Sequence, residues 1–209
     1  EFGFRNGHFI LPSGLSGGHA VGMVISRFGA PLGEMSSFDE LPIPFRCVAT
    51  DLVTSKRVVF DRGSLSLALR STMSLPGIFA PVQDGERLLV DGGLVENIPV
   101  SVVRDMGADI VIAVALPVPP DPAGYQSLLG VAGVSISVMI AENEVRSLKL
   151  ADMVISPDLT GLKSSDYLRA EEFRKAGYAA AEQKAAMLAR FSVTPEEWEQ
   201  LMKAREAKR

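Results

Sequence analysis

The sequence predicts an α/β layered fold with a mostly parallel sheet, and three features predict it. Strand-like and helix-like stretches alternate along the chain. Residues 109–116 (DIVIAVAL) are a nearly continuous apolar run of the kind buried on both faces of a parallel sheet. Helical spacing over residues 65–75 stops at Pro76-Gly77, a strong breaker pair.

The elements follow in order. Residues 45–52 (FRCVATDL) and 56–60 (KRVVF) are rich in β-branched and aromatic side chains, and the short connection Val53-Thr54-Ser55 makes them an antiparallel hairpin. After the helix over 65–75, a short strand over 87–90 ends in Asp91-Gly92-Gly93. Residues 99–106 have Pro99 at the first helical position and Gly107 just beyond the end, the asymmetry of a short helix. The apolar strand over 109–116 leads through a long helix over 127–150 into a second such strand, 153–156. Residues 168–190 and 195–205, rich in Ala, Glu and Lys, are helical. Residues 1–40 carry the weakest pattern. The most apolar stretch, 128–141, is shorter than the roughly 20 residues needed to span a bilayer and reads as a buried helix.

Composition bounds the function. With 47% hydrophobic and 22% charged residues among 209, the chain is globular and long enough for one α/β core. A net charge of -4 leaves no global basic surface, which argues against a nucleic-acid partner. The single cysteine, Cys47, cannot close an intrachain disulfide and sits in an apolar run as a buried thiol. No charged leader followed by an apolar stretch marks the start, so no signal peptide is visible; an upstream export signal remains compatible, and localisation stays open.

Three motifs invite chemistry. Gly14-Leu15-Ser16-Gly17-Gly18 matches the G-x-S-x-G nucleophile elbow, but an elbow needs a buried strand running straight into its first glycine, and Pro12 interrupts any such strand. Ser16 is therefore read as a loop or helix-cap residue, with Gly17-Gly18 leading into a helix over 19–28. His8 and His19 are the only histidines, and none follows His19, so a triad in the order Ser, acid, His is excluded. Two histidines and one cysteine without ligand spacing make no zinc cage, and no glycine-rich phosphate loop is present, so neither metal nor cofactor is expected. Asp91 stands at the end of a strand, where α/β sheets bind ligands, yet Asp-Gly is also a common turn pair. Both readings stand on these residues alone. Glu96 and Asn97 read as turn or cap residues.

Four blocks in order carry a resemblance: FDELPIPFRCVATDL (38–52), LRSTMSLPGIFAPV (69–82), RLLVDGGLVENIPV (87–100) and MGADIVIAVAL (106–116). Together they closely resemble bacterial patatin-like phospholipases. ADMVISPDL and FRKAGYAAAEQKA further on are similar to that family's closing strand and helix, so the likeness runs from Gly14 to about Arg190. The resemblance implies a three-layer patatin-like fold and a lipid acyl hydrolase that works with a Ser-Asp dyad and no histidine. Asp91-Gly92-Gly93 matches the family's D-G-[GA] motif residue for residue, which implies that Asp91 is catalytic. Gly92 and Gly93 would allow close backbone approach and unusual dihedrals beside it. The implied partners are a phospholipid or other lipid ester as substrate and, transiently, a membrane surface. An ordinary aspartate, with a pKa of about 3.9, is a feeble base for a serine hydroxyl, so the dyad needs burial to raise it.

The order of the family's motifs matters equally. Its oxyanion loop and elbow precede the stretch that SGLSGGHAVGMVISRF (13–28) resembles, so Ser16 falls downstream of the elbow. The expectation is an N-terminally truncated member lacking its N-terminal elements: residues 1–190 a partial patatin-like domain, 191–209 a helical extension or linker. Such a chain supplies Asp91 without the nucleophile and is inactive alone. Its exposed sheet edges favour self-association. The alternative is a noncatalytic lipid- or partner-binding remnant of the same fold.

Overall fold

The computed structural model describes residues 3–5, 8–10, 14–117, 126–163 and 166–208, and the chain falls into two compact units, Glu1–Asn97 with Arg205–Arg209 and Ile98–Ala204. In chain order the strands and helices up to Asn97 are β1 (Gly3–Arg5), β2 (His8–Ile10), β3 (Gly14–Ser16), α1 (His19–Gly29), β4 (Glu34–Met35), β5 (Cys47–Asp51) and β6 (Lys56–Phe60). They continue with β7 (Gly63–Ser64), α2 (Leu65–Thr72), β8 (Gly77–Phe79), β9 (Val82–Asp84), β10 (Arg87–Asp91) and α3 (Gly93–Glu96).

The main sheet has the order β6-β5-β10-β9, and every neighbouring pair in it is antiparallel. Mixed α/β content is as the sequence predicts; strand direction is not. Among the described residues parallel pairing is confined to β3 with β8 and one pair in the second unit. The reason is local: β5–β6 and β9–β10 are hairpins closed by connections of four and two residues, too short for the crossover that parallel neighbours need. The predicted hairpin is present, with Cys47 opposite Phe60 and Asp51 opposite Lys56.

One face of this sheet builds the core of the first unit. Cys47, Ala49, Phe60 and Leu89 pack with Phe38 and with Ala68 of α2. Burial pushes the Cys47 thiol up to about 12, which leaves it an inert apolar filler. Ser64 caps α2 by accepting from the Leu67 N–H at 3.3 Å, and the helix ends at Thr72, ahead of Pro76. Helix α1 crosses α2 closely at Gly29, where a Cβ would lie 2.4 Å from Ser66 Oγ.

The second unit contains α4 (Val100–Asp105), β11 (Ile112–Val114), α5 (Leu128–Leu148), β12 (Met153–Ile155), α6 (Ala170–Glu182) and α7 (Ala185–Leu188); α8 (Pro195–Glu206) follows. Strands β11 and β12 pair in parallel, Ile112 opposite Met153 and Val114 opposite Ile155, and α5 lies in the connection between them, as such a connection requires. Pro99 stands one residue before α4 rather than at its first position. Val100, Val111 and Ala113 form one small core with Leu148, and Met153, Ile155 and Ala180 form another. Asp152 braces the strand starts by accepting from the Val111 N–H at 2.7 Å and from the Arg104 guanidinium at 2.5 Å.

Helix α5 corrects one expectation. It is a helix, capped by Ser127 Oγ accepting from the Gly130 N–H at 3.0 Å, but it is not buried: Val131, Val138, Met139 and Val145 are all exposed. A helix apolar on every side needs partners on every side. Among the described residues no helix is long and apolar enough to cross a membrane.

Candidate active site

Asp91 is the last residue of β10 and lies directly opposite Ala49 of β5. Cross-strand partners share a face, so its side chain leaves the sheet on the core side, in line with the fully buried Ala49 and Leu89. The backbone is pinned from two directions. The Asp91 N–H donates to the Ser74 carbonyl at 3.0 Å, and its own carbonyl accepts from Thr50 Oγ1 at 2.9 Å. The carboxylate accepts one N–H, from Gly93 at 2.7 Å. Burial pushes the Asp91 carboxyl above the ordinary aspartate range, and the Gly93 bond pulls it partly back.

The two glycines have separate steric reasons. A Cβ on Gly92 would lie 2.3 Å from the Val48 carbonyl oxygen, so β10 and β5 can close at this point only with glycine. At Gly93 a Cβ would meet Asp91 Oδ1 at 2.9 Å and Asn97 Oδ1 at 3.0 Å, filling the space beside the carboxylate. Close approach is thus as the sequence predicts. The unusual dihedrals are not found: Gly92 has φ -68 and ψ -18, ordinary helical values, because the chain turns directly into α3.

A second aspartate on the same sheet behaves in the opposite way. Asp51 is 2% exposed and accepts from the Val53 N–H at 3.1 Å, the Leu88 N–H at 3.2 Å and Thr54 Oγ1 at 2.7 Å. These bonds, Thr54 first, hold its carboxyl below the usual carboxylate range. With its lone pairs taken, Asp51 is a brace for the hairpin. Asp91, desolvated and bonded among the described residues to a single donor, keeps acceptor capacity for a proton. The same sheet thus drives two like groups apart, Asp91 raised by burial and Asp51 lowered by its hydrogen bonds.

Residues 3–104 match the family profile described as "Patatin-like phospholipase". This stretch is similar to patatin-like phospholipases. Among its relatives, an uncharacterized NTE family protein of Mycobacterium bovis is 42% identical over 80 residues, 38% of this chain and 22% of that protein. A second NTE family protein of the same organism is 41% identical over 87 residues, 42% of this chain and 14% of that protein. A patatin-like phospholipase domain-containing protein of Caenorhabditis elegans is 42% identical over 85 residues, 39% of this chain and 6% of that protein. The matches thus span less than a quarter of each relative's length.

Within the patatin-like stretch, Ser16 ends the short strand β3, paired in parallel with β8, and is not in a loop. Residues 11–13, whose proline counts against a strand, lie outside the described residues. Ser16 Oγ accepts from the Gly18 N–H at 3.1 Å, and α1 begins at His19 as predicted. Strand, glycine turn and helix follow one another as in an elbow, but the strain is carried by Gly18 at φ 72. Among the described residues Ser55 is the only non-glycine with positive φ. His8 lies in β2 and His19 opens α1. Glu96 is ion-paired with Arg57.

Support for Asp91 comes from Thr50, Arg70 and Ser74, which no sequence motif marks. Thr50 and Ser74 are buried and hold the Asp91 backbone. Arg70 donates to Ser74 Oγ at 2.5 Å, to the Gly17 carbonyl at 3.2 Å and to the Ala80 carbonyl at 3.4 Å, and lies over the Phe79 ring. Their signal was the spacing Arg70-Ser71-Thr72-Met73-Ser74 ahead of Pro76, which has no meaning until β10 is laid beside it.

Proposed function

We propose that this chain carries the base of a lipid acyl hydrolase: Asp91 takes the proton of a serine hydroxyl contributed from outside these 209 residues, with a phospholipid or related lipid ester as substrate. Residues 1–190 would be the hydrolase part and 191–209 an extension. The observation that carries this reading is a half-buried carboxyl at a strand end, its pKa raised by desolvation, with one hydrogen-bond donor among the described residues and a glycine-lined space beside it.

The steps balance with one proton. Serine Oγ attacks the ester carbonyl carbon while its proton passes to Asp91, and the tetrahedral oxyanion forms. As the intermediate collapses, the carbon–oxygen bond to the lipid alcohol breaks and Asp91 returns the proton to that oxygen. Water then attacks the acyl-serine, with Asp91 taking its proton and handing it back to serine. The oxyanion needs its own donors, worth orders of magnitude in rate, and these too are proposed to lie outside the chain.

The purified chain is accordingly expected to hydrolyse a p-nitrophenyl acyl ester no faster than background, with its Ser16→Ala form giving the same trace. Turnover that disappears with Ser16→Ala would overturn the proposal and make Ser16 the nucleophile of a shortened site.

A further inference from the structure

Helices α1 and α2 leave an open groove of about 550 Å³ between them. His19, Gly22, Met23 and Ser26 line it from α1, one helical face at spacings of three and four, and Leu67 and Arg70 line it from α2. Neither helix contains an aspartate or a glutamate. Arg70 is held by three neutral oxygens and makes no ion pair among the described residues, so its charge reaches the groove uncompensated. The N-terminus of α1 opens at the same end, without a side-chain cap, and adds partial positive charge.

The outward arc of α1 continues from this groove. At 100° per residue Met23, Arg27, Val24 and Phe28 fall on one side, and Met23 is 71%, Val24 59% and Phe28 72% exposed. An apolar, acid-free helix side with a guanidinium at its centre is the composition of an interfacial helix on an anionic bilayer, where the long arginine reaches back to the headgroups. We infer that α1 is the membrane-facing element of this protein and that the α1–α2 groove receives the phosphoryl headgroup of an anionic phospholipid, bound by Arg70. This deepens the lipid reading above but involves no catalytic group: Asp91 does not line the groove.

Gly22 offers a clean block, since nothing lies within 4 Å of the Cβ it would acquire. Gly22→Leu should fill the groove without disturbing the packing, whereas Arg70 variants risk the fold. The experiment is co-sedimentation of the full chain with vesicles of phosphatidylcholine alone or with added phosphatidylglycerol, beside a titration with inorganic phosphate. Phosphatidylglycerol vesicles should bind at least about tenfold tighter, Arg27→Glu should weaken that binding roughly tenfold or more, and Gly22→Leu about fivefold. Added salt should weaken it further. Asp91→Asn should bind as the unaltered chain does, since Asp91 does not line the groove, so failure of the Asp91 assignment and failure of this inference remain distinguishable. Equal binding to both vesicle types, or binding indifferent to Arg27→Glu and Gly22→Leu, overturns the inference. Binding of inorganic phosphate with no gain from vesicles would make the ligand a soluble phosphate and overturn its lipid part.

Discussion

Asp91→Asn is expected to lower acyl ester cleavage roughly a thousandfold in a polypeptide that joins these residues to a G-x-S-x-G serine. Asparagine keeps the shape and can still accept the Gly93 N–H, so the geometry survives while the proton acceptor is lost. If Asp91 is the base, the same carboxyl should set the acid side of the activity profile: kcat/KM should fall as pH drops through the raised Asp91 pKa and the base becomes protonated. Stability moves the other way. A carboxyl whose pKa is higher in the fold than in the unfolded chain stabilises fully below the unfolded value, and that contribution is lost as pH rises through the folded value. At neutral pH the asparagine form should therefore be no less stable than the aspartate form, with urea midpoints as the measure. Asp51, held low, has the opposite sign: its contribution is present above the unfolded pKa and is lost as pH falls through the folded one.

Gly92→Ala is expected to destabilise the fold by about 3 kcal/mol, at the upper end of overpacking costs. The added methyl meets the Val48 carbonyl at 2.3 Å, and that carbonyl cannot yield: it belongs to an inner strand and already accepts from Thr72 Oγ1 at 2.6 Å. Relief must come from β10, which carries Asp91 out of its place between Thr50 and Ser74. Stability and catalysis should fall together, and a urea midpoint unchanged by Gly92→Ala would contradict this packing account.

Much of the fold was legible because short-range chemistry decides it. The β5–β6 hairpin, α2 stopping ahead of Pro76, and β11 and β12 flanking α5 all follow from β-branched runs, helical spacing and breakers. The direction of the main sheet was not legible. DIVIAVAL invites a parallel sheet and forms one, but the larger sheet is built from two hairpins whose mutual order, β5 beside β10, is a long-range choice that no local pattern encodes. The exposure of α5 is not legible for a related reason: apolar composition states a need for partners, not their presence. Asp91 was ambiguous as a residue and became readable only through the blocks around it. Thr50, Arg70 and Ser74 act through distances across strands, which a linear reading does not contain.

The proposed chemistry depends on a desolvated Asp91, and a carbon-13 titration of its carboxyl in this chain measures that without requiring any turnover. The predicted result is a midpoint clearly above that of an ordinary aspartate, about 3.9, with Asp51 titrating below it. A midpoint for Asp91 at or below the ordinary value would mean a solvated turn residue and would contradict its assignment as the base.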